Sequence, residues 1–178
     1  TLLVSGGSQG AVSINTAVDG ARDAILAAGV QILHVLGPKN FGDGDAVVRH
    51  ASGARYVPVA FVSDMAVAYA AADLMLGRAG AGTVMETSVS GLPVIFVPLP
   101  WGNGEQGRNA AGLVEAGGGW LVEDAALTPD KLGALVTEAF ADPARLAHMA
   151  ETCRGMYPSD AAERLARAVI EAAGRKGN

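Results

Sequence analysis

Short apolar runs alternate along this chain with longer stretches patterned as helices, and that alternation restricts the fold more than any other feature. Runs so short and so uniformly apolar suit strands covered on both faces, the condition of a parallel sheet with helices above and below. They fall at residues 1–5, 30–36, 54–58, 73–76, 94–97 and 119–122. Helices are expected at 11–28, 64–72, 82–90, 106–116, 129–141 and 143–153, and a closing carboxy-terminal helix within 160–175, patterned from Ala161 to Arg175. The punctuation agrees. Ser63 or Asp64 can cap the second helix, Thr128-Pro129 puts proline in a first turn, and Gly29 and Gly91 follow helix ends. The expectation is one α/β domain over residues 1–178, a doubly wound, mostly parallel six-stranded sheet with helices on both faces.

Composition narrows the partners. With 50% hydrophobic residues in 178, the chain can bury a core of its own. A net charge of −5 and the lack of any basic run argue against a nucleic-acid partner. Cys153 stands alone, so no disulfide can form within the chain, and a reducing compartment is expected. No apolar run approaches the ~20 residues needed to span a bilayer. The most apolar stretch is broken by Pro93 and Pro98. Thr1-Leu2-Leu3-Val4 enters directly as a strand without an initiator Met, so the chain reads as a piece of a longer protein.

In a doubly wound sheet, ligands bind outside the carboxyl ends of the strands, so the loops just after strands carry the chemistry. The first is Gly6-Gly7-Ser8-Gln9-Gly10. Glycines let backbone approach a ligand, and the helix start beyond offers free N–H groups suited to a phosphate or diphosphate, with Ser8 adding a hydroxyl. A plain tight turn is the alternative. The same residues also spell the G-x-S-x-G nucleophile elbow of α/β-hydrolases, with Ser8 as nucleophile. Of the histidines, only His148 falls late enough to complete a triad, and it lies inside an expected helix.

A second glycine-rich loop, Gly77-Arg78-Ala79-Gly80-Ala81-Gly82-Thr83, precedes a helix that carries Glu86. Thr83 can bond a phosphate oxygen. Glu86 can accept from two ribose hydroxyls or merely complement the helix dipole. No acid ends the second strand, which disfavours a dehydrogenase. After the fifth strand, Asn103, Glu105, Gln106 and Asn109 cluster at a helix start; such side chains hold hydroxyl-rich ligands, or cap and solvate a loop. Asp43-Gly44-Asp45 resembles a D-x-D pair that binds a divalent metal in some enzymes but sits where a turn is expected, and no metal is assigned. Arg78 can neutralise a diphosphate or pin its loop. His34 reads as structural, and the arginines of the last helices read as a solvated face.

Together these segments resemble the carboxy-terminal domain of the MurG family of glycosyltransferases along nearly the whole chain. The resemblance is carried by Leu3-Val4-Ser5-Gly6-Gly7-Ser8-Gln9-Gly10-Ala11 with Asn15, by Phe61-Val62-Ser63-Asp64-Met65, and by Arg78-Ala79-Gly80-Ala81-Gly82-Thr83 with Glu86. Gly91-Leu92-Pro93 and Asn103-Gly104-Glu105-Gln106 with Asn109 complete it. It implies that Ser8, Gln9, Gly10 and Thr83 hold a diphosphate, backed by Ala81 and Gly82. Val62 would meet uracil through its backbone with Met65 nearby, Glu86 would bind the ribose, and Glu105, Gln106 and Asn109 would read N-acetylglucosamine. Ala79, Gly82 and Glu105 depart from the family pattern. The family implies inverting transfer from UDP-N-acetylglucosamine to an undecaprenyl-linked muramyl-pentapeptide in peptidoglycan synthesis, without cofactor or metal. It implies a bacterial cytoplasmic enzyme, peripheral on the inner face of the membrane. The acceptor site, the membrane contact and the general base belong to an amino-terminal half with no match here, so no catalytic residue is assigned. A domain of another two-domain UDP-sugar transferase is the alternative.

Overall fold

A computed structural model, which describes residues 1–174, places the six apolar runs in one sheet. β1 (Leu2–Ser5), β2 (Ile32–Val35), β4 (Arg55–Val59), β5 (Leu74–Gly77), β6 (Val94–Phe96) and β7 (Gly119–Leu121) run parallel to one another. A seventh strand, β3 (Val48–Arg49), adds antiparallel to β4 at the edge. The expected count of six omits it because two exposed residues carry no burial pattern to read.

The helices are α1 (Val12–Ala27), α2 (Met65–Ala70), α3 (Ala81–Ser90), α4 (Glu105–Glu115), α5 (Pro129–Ala141), α6 (Pro143–Met156) and α7 (Ala161–Gly174). Successive strand residues point to opposite faces, so β1 feeds two cores. Leu2 and Val4 join Ile14, Val18 and Ile25 of α1 and Leu132 and Val136 of α5. Leu3 faces the other way, with Val84 of α3, Leu113 of α4 and Cys153 of α6. α6 runs past its expected end at 153 to Met156, because Met156 and Tyr157 still find that second core. α7 buries none of its residues: Leu165 is 67% and Ile170 70% exposed, while Arg167 reaches Asp160 across solvent. The expected end of that helix, Arg175, lies outside the described residues. Among the described residues no helix is long and apolar enough to cross a membrane.

Strand order is β3-β4-β2-β1-β5-β6-β7. The chain winds outward from β1 through β2 to β4, then returns to lay β5 on the other side of β1. Winding therefore reverses between β1 and β5, and such a reversal opens a crevice beyond the carboxyl ends of the two strands. Ser5 and Gly77 end these strands in register, so the two glycine-rich loops leave the sheet side by side.

His34 is structural, as expected. On β2 it is buried between Tyr56 Oη, 3.1 Å from Nδ1, and Asn15 Oδ1, 3.1 Å from Nε2. Burial drives its pKa down to about 4, against a smaller upward pull from Asp45. Folded protein therefore stays unprotonated where the unfolded chain takes up a proton. Stability should fall as pH drops from about 6.5 to about 4, by on the order of 2–3 kcal/mol. Urea unfolding across that range is expected to show the loss in the wild type and a flatter profile in His34→Gln. Equal slopes in the two proteins would remove His34 as the cause.

Candidate functional site

Helix starts differ according to where they point. α2, α5 and α6 are capped by side chains: Asp64 accepts from Ala66 N, Thr128 from Lys131 N and Asp142 from Arg145 N. α1 and α3 begin at the crevice after Ala11 and Gly80, and neither has a side-chain cap. Their first N–H groups and positive dipole ends are left facing the space between the loops.

That space comprises two joined cavities. The larger, about 580 Å³, is lined by Gly6 to Ser13, Arg78, Gly80, Thr83, Leu99, Trp101, Gln106 and Asp124. The smaller, about 330 Å³, holds Phe61, Val62, Met65, Tyr69 and Glu86. Gly7, Ser8 and Thr83 line both, so the two candidate hydroxyl donors stand at the neck.

The first loop is held from behind. Gly10 N donates to Gly7 O at 2.9 Å, and Asn40 donates through Nδ2 to Gln9 O at 3.1 Å and Leu36 O at 3.0 Å. Asn15 Nδ2 also reaches Leu36 O, at 3.0 Å. The carbonyls thus turn toward the protein. Arg78 pins its loop. Its guanidinium donates to Val97 O and Pro98 O, both at 3.1 Å, to Ser13 Oγ at 2.9 Å, and pairs with Asp124. Asp124 lies in a 3-10 turn (Asp124–Ala126) that has no counterpart in the expected elements. Arg78 is the one cation lining either cavity among the described residues, and its charge is already matched.

In the smaller cavity Tyr69 Oη donates to Glu86 Oε2 at 2.8 Å, which leaves the other carboxylate oxygen uncommitted. Burial, then the Glu86 carboxylate, push the Tyr69 hydroxyl pKa far upward, so it remains a donor. Gln106 Oε1 accepts from Leu99 N at 3.1 Å, which turns its amide NH₂ toward the larger cavity.

Of the residues expected to act together, Ser8, Gln9, Gly10, Thr83, Gln106, Val62, Met65 and Glu86 converge on these cavities. Ala81 and Gly82, in the exposed first turn of α3, stand between the lining residues Gly80 and Thr83. Glu105 is exposed at the start of α4. Asn109 also stays outside, its Nδ2 donating to Ala79 O at 3.1 Å, where it braces the second loop. Tyr69, Ser13, Trp101 and Asp124 went unassigned. Tyr69 had a legible signal, since it stands one helical turn after Met65 on the same face of α2. Asp45 accepts from Gly42 N at 2.8 Å and closes the turn expected of Asp43-Gly44-Asp45. The hydrolase reading fails on topology. His148 is exposed on α6, and Ala147 beside it lines a cleft with Asp73 and Pro93, at the opposite end of the sheet from Ser8.

Sheet order, switch point and glycine-rich helix starts place the chain among Rossmann-like α/β domains with a crevice of nucleotide-binding form. The chain belongs to the glycosyltransferase family 28 C-terminal domain, which matches residues 1–165. It is 56% identical over 173 residues to a UDP-N-acetylglucosamine--N-acetylmuramyl-(pentapeptide) pyrophosphoryl-undecaprenol N-acetylglucosamine transferase of Cutibacterium acnes, covering 97% of this chain and 46% of that protein. A protein of the same name from Mycobacterium tuberculosis is 51% identical over 173 residues, covering 97% and 42%. The solved structure of MurG from Acinetobacter baumannii superposes with a TM-score of 0.79 at 28% identity, covering 96% of this chain and 49% of that one. The chain thus spans about half the length of the curated relatives it matches.

Proposed function

We propose that this chain is the donor-binding half of an inverting glycosyltransferase. The full-length protein would move N-acetylglucosamine from UDP-N-acetylglucosamine to an undecaprenyl-linked muramyl-pentapeptide. The observation that carries the donor role is the pair of cavities meeting at Ser8 and Thr83 between two uncapped helix starts. A nucleoside diphosphate sugar has this shape, with a base and ribose on one side of a diphosphate and a sugar on the other. The nucleoside would enter beside Val62, Met65 and Glu86, and the sugar would lie toward Gln106. The names of the relatives support the choice of uridine, N-acetylglucosamine and lipid-linked acceptor.

In this reading the protein stabilises the leaving group. Negative charge grows on the diphosphate as the glycosidic bond breaks, and N–H groups fixed at the starts of α1 and α3, with Ser8 and Thr83, face the place where it grows. No metal or cofactor is assigned to this step. The base that deprotonates the acceptor hydroxyl, the acceptor site and a peripheral contact with the inner membrane face would come from the amino-terminal half. The uncovered apolar stripe of α7 offers a surface against which that half would pack.

Calorimetric titration tests the donor reading. In the presence of EDTA, the chain is expected to bind UDP-N-acetylglucosamine and UDP in preference to TDP; equal affinity for UDP and TDP, or binding lost with EDTA, would overturn it. In the full-length enzyme, Ser8→Ala and Thr83→Ala are each expected to lower kcat about a hundredfold with unchanged folding. Wild-type turnover in both variants would refute the diphosphate assignment.

A further inference from the structure

We propose that Trp101 is the platform on which the donor's sugar ring stacks, which makes it a specificity-determining residue for the hexose. The proposal rests on the donor-site reading above and adds a residue to it.

Trp101 is 71% exposed, yet it lines the larger cavity. Leaving so large an aromatic surface in water forgoes the free energy its burial would bring, so an exposed indole at a cavity mouth suits a transient partner. Its backbone is tethered on both sides. Before it, Arg78 holds Val97 O and Pro98 O, and Leu99 N is bonded to Gln106. After it, Asn103 Oδ1 accepts from Glu105 N at 3.2 Å, and Arg108 Nη1 donates to Asn103 O at 2.7 Å. A loop tied down at each root presents the indole at its tip.

The neighbours indicate what it would meet. Trp101 is absent from the lining of the smaller cavity, where Val62 and Glu86 stand, so its partner lies beyond Ser8 and Thr83 from the nucleoside. The same cavity is lined by Gln106, whose amide NH₂ remains free to donate. An apolar plane next to an amide donor matches a pyranose, which has one face of C–H bonds and a rim of hydroxyls. A base would also stack on an indole, but the division of the cavities places the base at the other end.

The test compares UDP-N-acetylglucosamine with UDP, since the two differ only by the sugar. By calorimetry on this chain, Trp101→Ala is expected to weaken binding of the nucleotide sugar about tenfold and to leave UDP affinity unchanged. Trp101→Phe is expected to keep most of the affinity. Trp120 is the other tryptophan, so a fluorescence change on adding the nucleotide sugar should vanish in Trp101→Phe, and UDP should give little change in either protein. Unchanged affinity for the nucleotide sugar in Trp101→Ala would overturn the proposal, and so would an equal loss for both ligands. Failure of the wild type to bind either ligand would overturn the donor-site reading itself, and this proposal with it.

Discussion

Gly10→Ala is expected to abolish nucleotide binding and to destabilise the protein by roughly 3 kcal/mol or more, while Gly7→Ala costs about 1 kcal/mol. Both glycines have positive φ, +74° at Gly10 and +93° at Gly7, so both substitutions carry backbone strain. Only Gly10 is also enclosed. A Cβ there would overlap the carbonyl oxygen of Leu36 and stand 2.6 Å from Asn40 Nδ2. That carbonyl already accepts from Asn15 and Asn40, so it cannot swing aside without freeing two amides and the loop they hold. At Gly7 a Cβ meets nothing within 4 Å. Urea unfolding and UDP titration on the two variants separate strain from collision. UDP binding by Gly10→Ala within a few-fold of wild type would mean that the loop does not need this path behind it.

The parallel core was legible because its strands are buried on both faces, so stretches such as Leu2-Leu3-Val4 and Val94-Ile95-Phe96 read as unbroken apolar runs. The helices followed from their periodicity and caps, with Asp64 chosen over Ser63 by the bond it accepts from Ala66. What escaped was structure without a pattern. β3 is two exposed residues at a sheet edge, and the 3-10 turn at Asp124 is three residues of a connection.

The site divides in the same way. That Ser8, Thr83 and Glu86 converge on one crevice was legible because each lies at a fixed offset from a glycine-rich loop after a strand, and topology alone brings such loops together. Side-chain pairings across long separations were not. The pair that pins Arg78 joins it to Asp124, 46 residues away, and no spacing rule links the two. Asn109 shows the same limit from the other side. Its place at a helix start beside sugar-binding candidates gives no sign that its Nδ2 braces the second loop through Ala79 O.

Breaking the Arg78–Asp124 pair is expected to cost about 3–5 kcal/mol, because either single substitution leaves a poorly solvated charge without its partner. Arg78 is buried and the Asp124 side chain is only 16% exposed. Arg78→Met also releases the Val97 and Pro98 carbonyls, so the loop bearing Trp101 and the adjoining Gln106 should lose its position, and affinity for UDP-N-acetylglucosamine should fall with stability. Asp124→Ala removes the countercharge but leaves those carbonyl bonds available. The double variant Arg78→Met with Asp124→Ala is expected to be less destabilised than the sum of the singles, the sign of a direct interaction. Acid supplies an independent check. Burial pushes the Asp124 carboxyl upward, but the Ser13 hydroxyl and Arg78 together outweigh it and hold the pKa below its usual 3.8. The pair's contribution is therefore complete above that pH and is lost as pH falls through the depressed value. Urea unfolding below pH 4 should show this loss in wild type and not in Asp124→Ala. The His34 loss comes at higher pH, between about 6.5 and about 4, so one titration resolves both. Additive single variants, or the same acid limb with and without Asp124, would mean that the pairing itself contributes nothing beyond what each residue does alone.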